Sequence, residues 1–133
     1  MGAFDDVSGR FAISDRTSKG ASLGWLDLRL GTLTLDVLVL ARIKTIVAEL
    51  VDNVIQHGGG RGWLSLEVGD SLLTIQVQDF GSGIEDVNLA LQDHFSTKGT
   101  LGLGLPGVKR LAQGLEIESV PRTGTLVTAT VTL

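Results

Sequence analysis

Hydrophobic residues recur every three or four positions along residues 34–57, which is the spacing of a helix with one buried side. The apolar positions are Leu35, Leu38, Val39, Ile43, Ile46, Val47, Leu50, Val51, Val54 and Ile55. Three glycines, Gly58-Gly59-Gly60, follow this run, and glycine commonly ends a helix. The pattern therefore predicts a long, largely buried helix from Thr34 to His57.

A weaker helical pattern precedes it in residues 14–31. Three leucines lie at helical spacing there, at Leu23, Leu26 and Leu30. Two glycines inside the segment lower its helix propensity. We predict a helix with Ser14 or Asp15 as its N-cap and Gly31 at its C-terminal end.

Apolar and polar residues alternate in four shorter segments, and this alternation is typical of strands. We predict strands over 63–68, 72–78, 115–120 and 125–133. Residues of turn composition separate the first pair (Gly69-Asp70-Ser71) and the second pair (Pro121-Arg122-Thr123-Gly124). The strands are therefore predicted to form two hairpins.

Between the two hairpins we predict a short helix over 84–93, a loop over 94–102 and a helix from Leu103 to Gln113 that ends at Gly114. Helices grouped together and hairpin-linked strands indicate an α+β fold. We expect a two-layer α/β sandwich, with a mixed, mostly antiparallel sheet and the helices on one face. The 133 residues are predicted to form a single domain, with residues 1–10 poorly ordered.

Composition narrows the function classes. The net charge is −4, which leaves no broad basic surface for a nucleic-acid backbone. The chain has no cysteine, so disulfides and thiolate metal sites are excluded. Its most apolar stretch, LTLDVLVLARIKTIVAELV, carries too many charges to span a bilayer, and the N-terminus lacks the apolar core of a signal peptide. We expect a cytoplasmic protein that binds neither nucleic acid nor a membrane.

A polar stripe interrupts the long helix. Glu49, Asn53 and His57 follow one another at steps of four, which puts them on one side of the helix among apolar neighbours. Such a stripe is costly to bury unless it is hydrogen-bonded or faces a site. It forms either a solvated face or part of a functional site, and His57 has the position of a helix-end residue.

The sequence Asp79-Phe80-Gly81-Ser82-Gly83 directly follows a predicted strand. A carboxylate at a strand end can accept a hydrogen bond from the amine of a base, and the glycines permit close approach of the backbone to a flat ligand. Taken alone, the same residues are also those of an ordinary turn.

Residues 95–107 read FSTKGTLGLGLPG and include a formal G-x-G-x-x-G match at Gly102–Gly107. The preceding strand of a Rossmann unit is missing, and so is the Gly-Lys-Ser/Thr of a P-loop. Glycines at the start of a helix nevertheless expose backbone N–H groups to anions. Pro106 suits a first helical turn, and Lys98 lies just upstream.

In chain order, these features are followed by Gly124-Thr125 before the last strand. Over residues 36–133 the combination resembles the N-box, the two glycine boxes and the closing Gly-Thr of the GHKL (Bergerat) ATP-binding fold. The runs FSTKGTLGLGLPGVKRL and LEIESVPRTGT are similar, more narrowly, to the RsbT-type switch serine/threonine kinases, relatives of the anti-sigma-factor kinases.

The resemblance implies a role for each matching residue. Glu49 would be the general base, Asn53 would bind Mg²⁺ between the ATP phosphates, and Asp79 would accept a hydrogen bond from the adenine amine. Residues 95–102 would form a lid over ATP. The implied nucleotide-binding set is Asn53, Asp79, Gly81, Gly83, Lys98, Thr100, Leu101, Gly102, Leu103, Gly104 and Thr125.

The resemblance also implies partners. The acceptor would be a serine or threonine of a STAS-domain protein in a stressosome-like pathway, and the kinase would act on a PP2C-type phosphatase upstream of an alternative sigma factor. Two alternatives share the pocket: a nucleotide-regulated anti-sigma-type binding module and the catalytic domain of a histidine kinase. Against the second, His57 lies inside the predicted nucleotide-binding helix and is a poor phospho-acceptor.

Overall fold

A computed structural model describes residues 7–81, 83 and 104–133. In chain order its elements are β1 (Gly9–Ile13), α1 (Ser18–Leu30), α2 (Val37–His57), β2 (Gly62–Gly69), β3 (Leu72–Asp79), α3 (Gly104–Leu111), β4 (Gly114–Val120) and β5 (Gly124–Thr132). The helix predicted over 84–93 and the loop predicted over 94–102 lie outside the described residues.

The five strands form one sheet in the order β1-β2-β3-β5-β4, and each of these four pairings is antiparallel. Alternate side chains of the central strands are buried under the helices, as at Leu64, Ile75 and Ala129. The opposite face is partly exposed and rich in threonine and glutamine. The α+β sandwich is thus confirmed, with antiparallel pairing throughout the described strands.

Helix α2 is the centre of the core, as the hydrophobic pattern predicts. It begins at Val37 rather than Thr34, because the Asp36 side chain caps it by accepting the Leu38 N–H at 2.8 Å. It ends at His57, where the Gly58 N–H donates to the carbonyls of the last turn. None of the described helices has the length and apolarity needed to cross a membrane.

Helix α1 is shorter than the predicted segment. It begins at Ser18 with Thr17 at the N-cap position, so neither Ser14 nor Asp15 is the cap, while Gly31 follows its last turn as predicted. Asp15 instead accepts hydrogen bonds from the backbone N–H and hydroxyl of Thr17. These bonds lower the pKa of the exposed Asp15 carboxyl.

Both predicted hairpins are present. The β2–β3 connection is a two-residue loop in which Asp70 and Ser71 take positive φ angles of 55° and 61°. The β4–β5 connection places Arg122 at φ 65°. The helix predicted to run to Gln113 ends at Leu111, and Gly114 begins β4 instead of stopping the helix.

Strand β1 is an element that the hydrophobic pattern does not predict. It pairs with β2 along its whole length at the edge of the sheet, so Gly9 and Arg10 are part of the fold. The Phe11 ring lies 5.7 Å from the Trp25 ring, and the Arg29 guanidinium donates to the Ser8 carbonyl at 3.2 Å. These contacts fasten β1 to helix α1.

We expect Val7→Ala to lower the free energy of unfolding by about 1–3 kcal/mol, because the Val7 side chain is fully buried and the lost methyl groups leave a cavity. Val37→Ala provides the matched control, since Val37 is 79% exposed. It should change stability by less than about 0.5 kcal/mol. Urea unfolding of both variants checks this, and equal effects would contradict the packing of Val7.

Candidate functional site

The candidate site lies where the C-terminal half of α2 meets the end of β3 and the beginnings of β5 and α3. Four predicted side chains are in this region: Glu49 and Asn53 on α2, Asp79 at the end of β3 and Thr125 at the start of β5. The first three are partly buried, and Thr125 is buried. His57, the last residue of the polar stripe, is exposed at the helix end.

Asp79 is the most constrained of these side chains. Its Oδ1 accepts two backbone hydrogen bonds, each 3.0 Å long, from the N–H groups of Gly81 and Thr125. Among the described residues, its Oδ2 takes no hydrogen bond. One carboxylate oxygen is therefore fixed by backbone donors, and the other has no donor within the described part of the chain.

The close approach of α2 to β3 depends on glycine. A Cβ on Gly58 would lie 2.7 Å from the Cβ and Oδ2 of Asp79, and a Cβ on Gly81 would lie 2.6 Å from the Gly58 carbonyl carbon. Contacts this short are sterically forbidden, so both positions exclude larger residues. The Gly-rich stop of α2 is thus also the surface against which Asp79 packs.

Thr125 supports Asp79 through its backbone rather than its side chain. Its hydroxyl instead lies 2.9 Å from that of Ser119, its neighbour on β4. The Gln78 side chain donates to the carbonyls of Asp79 and Thr125, at 2.6 Å and 3.3 Å. Ser119 and Gln78 are supports that the sequence does not reveal, because they act through pairing between distant strands.

Glu49 makes the contact that joins α2 to α3. Its Oε2 accepts the backbone N–H of Gly104, the first residue of α3, at 3.2 Å. Asn53 lies one turn further along α2, and its side chain makes no hydrogen bond within the described part of the chain. A carboxylate and a helix N-terminus therefore meet here, and an amide side chain lies one turn away along α2.

The remaining predicted residues divide into two groups. Gly83 is described, with φ +82° and its Cα beside the Val120 carbonyl, where a Cβ would be 2.6 Å from that oxygen. The others lie outside the described residues: Lys98, Thr100, Leu101, Gly102 and Leu103. Their proposed contacts with the nucleotide stay predictions.

The oxygen atoms and N–H groups of this site fit the ligands that the sequence implies, Mg²⁺ and ATP. Mg²⁺ prefers oxygen ligands and is usually held by one or two protein side chains together with phosphate oxygens, so the Asn53 amide oxygen is a suitable ligand. The free Oδ2 of Asp79 suits an amine donor, and the N-terminus of α3 suits an anion. Within the described residues, no cluster of three histidine or acidic side chains offers a separate metal site.

Comparison with known proteins identifies the family to which this chain is similar. Residues 39–133 match the family model described as histidine kinase-, DNA gyrase B- and HSP90-like ATPase. The chain is 41% identical over 93 residues to the serine/threonine-protein kinase RsbT of Bacillus subtilis, covering 67% of this chain and 69% of that protein. It is 38% identical over 98 residues to the anti-sigma F factor of Thermoanaerobacter, covering 68% of each.

Solved structures show the same fold at low identity. The RsbU and RsbW domains of a Mycobacterium tuberculosis protein superpose with a TM-score of 0.69 at 18% identity, over 94% of this chain and 32% of that longer chain. The catalytic domain of the histidine kinase ThkA gives a TM-score of 0.57 at 16% identity, over 94% and 95% of the two chains.

We expect Gly58→Ala to destabilise the protein by about 1–3 kcal/mol, because the new methyl group collides with Asp79. Gly24→Ala is the matched control. Gly24 lies within α1, where a Cβ would meet nothing within 4 Å, so this change should stabilise by roughly 0.5–1 kcal/mol. Urea unfolding measures both, and an unaltered Gly58→Ala stability would contradict the close packing.

Proposed function

The chain belongs to the family of histidine kinase-, DNA gyrase B- and HSP90-like ATPases, and we propose that it is an ATP- and Mg²⁺-dependent serine/threonine protein kinase. The observation that carries this proposal is the hydrogen bond between Glu49 and the N-terminus of α3, with Asn53 one turn away on α2. These three groups are suited to the roles of a base, a metal ligand and an anion-binding group. The 41% identity to a serine/threonine kinase supports the same reaction.

In the proposed reaction, the hydroxyl oxygen of the acceptor forms a bond to the γ-phosphorus of ATP. The bond from that phosphorus to the bridging oxygen breaks, and ADP leaves. Glu49 accepts the proton of the hydroxyl, while Asn53 would hold Mg²⁺ and Oδ2 of Asp79 would orient the adenine. When bound, Mg²⁺ supplies neutralisation of the phosphate charge. The residues of the site contribute mainly by positioning these groups.

The proposed substrate is a STAS-domain protein that carries the acceptor serine or threonine. As the resemblance implies, the reaction would take place in the cytoplasm, within a stressosome-like partner-switching pathway. The kinase would then act on a PP2C-type phosphatase upstream of an alternative sigma factor. The similarity to proteins named RsbT and anti-sigma F factor supports a protein partner of this kind.

A second function is a nucleotide-regulated anti-sigma-type binding module. It is favoured by the relatives named anti-sigma F factor, one of which is 38% identical over 98 residues. In that case nucleotide would set the conformation of the partner-binding surface without any transfer. The likeness to the ThkA histidine kinase domain, at 16% identity, supports the fold alone.

Transfer from γ-labelled ATP to candidate STAS proteins in the presence of Mg²⁺ tests the kinase. Label should appear on a partner serine or threonine, and Glu49→Gln should slow transfer by about 10²- to 10⁴-fold because the base is lost. Glu67→Gln is the matched control, since Glu67 is exposed on β2, away from the site.

The outcomes separate the alternatives. Label on a histidine of the protein itself would contradict the serine/threonine kinase. Nucleotide binding without transfer to any STAS protein would favour the binding module. Equal rates for Glu49→Gln and Glu67→Gln would overturn the role of Glu49.

Asp79→Asn should weaken ATP binding by about 10-fold or more while changing stability much less. The amide oxygen can still accept the N–H groups of Gly81 and Thr125, but an NH₂ group replaces the free acceptor oxygen. Calorimetric titration with ATP, together with urea unfolding, measures the two effects. Unchanged ATP affinity would show that Asp79 does not recognise adenine.

A further inference from the structure

The hydrogen bond from Gly104 to Glu49 engages the proposed base at the N-terminus of α3. The two residues lie 55 positions apart, and the bond is 3.2 Å long. Because the first N–H groups of a helix have no partner within the helix, an external acceptor such as this carboxylate stabilises them. Glu49 therefore serves α3 in the way that a bound anion would.

We propose that the Gly104 N–H is a positioning group that holds the Glu49 carboxylate until a phosphate of ATP replaces it. This inference rests on the proposed function, because it takes ATP as the ligand and Glu49 as the base. A carboxylate and a phosphate are both favoured at a helix N-terminus, and one N–H makes one strong hydrogen bond. The two anions therefore compete for the same donor.

The packing of α3 allows the acceptor of the Gly104 N–H to change without movement of the helix. Leu105 is 8% exposed and Val108 is fully buried, so the first turn of α3 is anchored in the core beside α2. Gly104 has φ +59°, a conformation that glycine adopts without strain. Its N–H can thus exchange one acceptor for another while the helix stays in place.

The consequence is an order of events. While Glu49 is bound to Gly104, one of its carboxylate oxygens is occupied. When a phosphate takes the Gly104 N–H, both oxygens of Glu49 become available to an acceptor hydroxyl. The second oxygen of the base is thereby released only when the phosphoryl donor is in place.

Calorimetric titration with ATP of wild type, Glu49→Gln and Glu49→Asp tests this competition. Asp keeps the charge, but its side chain is one methylene shorter and reaches Gly104 less well. Both variants should bind ATP more tightly than wild type, by roughly 3- to 30-fold. Glu67→Gln and Glu67→Asp are the matched controls and should leave the affinity unchanged.

Two results would overturn the inference. Unchanged affinity in both Glu49 variants would mean that the carboxylate and ATP do not compete. If Glu49→Gln bound ATP more tightly and Glu49→Asp bound it with unchanged affinity, the effect would be charge repulsion between Glu49 and ATP, independent of the bond to Gly104.

A measurement on the wild-type protein decides the question even if the variants fold poorly. With ATP bound to the ¹⁵N-labelled chain, the Gly104 nitrogen should show a coupling to a ³¹P nucleus of ATP across the hydrogen bond. A Gly104 amide that lacks this coupling in the ATP complex would overturn the competition.

These measurements separate the inference from the proposed function. Tighter ATP binding in both Glu49 variants supports the inference whether or not phosphate is transferred. ATP binding with unchanged affinities overturns the inference and leaves the kinase standing. A chain that binds no ATP overturns both.

Discussion

The carboxylate of Asp79 joins three parts of the chain that are far apart in sequence, and the site depends on it. One oxygen accepts N–H groups from the loop after β3 and from the start of β5. The side chain also packs against Gly58 at the end of α2. Because the end of α2 is fixed against the sheet in this way, Glu49 and Asn53 have defined positions along the same helix. Asp79 is thus suited to ligand recognition and also holds these three parts of the fold together.

The elements that a local pattern determines are those that the sequence predicts well. The apolar period of α2 extends over many turns, and its ends coincide with a capping aspartate and a glycine stop. The two hairpins combine alternating strands with turn residues. Their register follows from which face is buried, since a slip of one residue would expose every core side chain.

Strand β1 is missed because its stability comes from distant contacts. Its five residues, GRFAI, are too few to show a periodic pattern, and the strand forms because β2 offers it a partner. Trp25 and Arg29 of α1 then cover it. The start of α1 is misplaced for a related reason. Asp15 has the composition of an N-cap, but it closes a turn around Thr17 one step before the helix begins.

The candidate site also contains residues that can be predicted from the sequence and residues that cannot. Glu49, Asn53 and Asp79 belong to the motifs on which the resemblance to a nucleotide-binding fold rests. Their supports cannot be recognised in the sequence, because the N–H of Thr125 and the side chain of Gln78 act between strands. The glycine and leucine mixture that opens α3 also has a physical reason. Buried Leu105 and Val108 fasten the helix to α2.

Glycine at the first position of α3 leaves its N–H open to an acceptor. A polar loop could present the same N–H group. Such a loop would have no side chain anchored in the core, so the N–H group would not be held next to Glu49. A helix with bulky residues throughout would be anchored, yet a side chain in place of Gly104 would be strained at its positive φ. Alternating the two residue types satisfies both requirements, and it links the packing of α3 to the chemistry of α2.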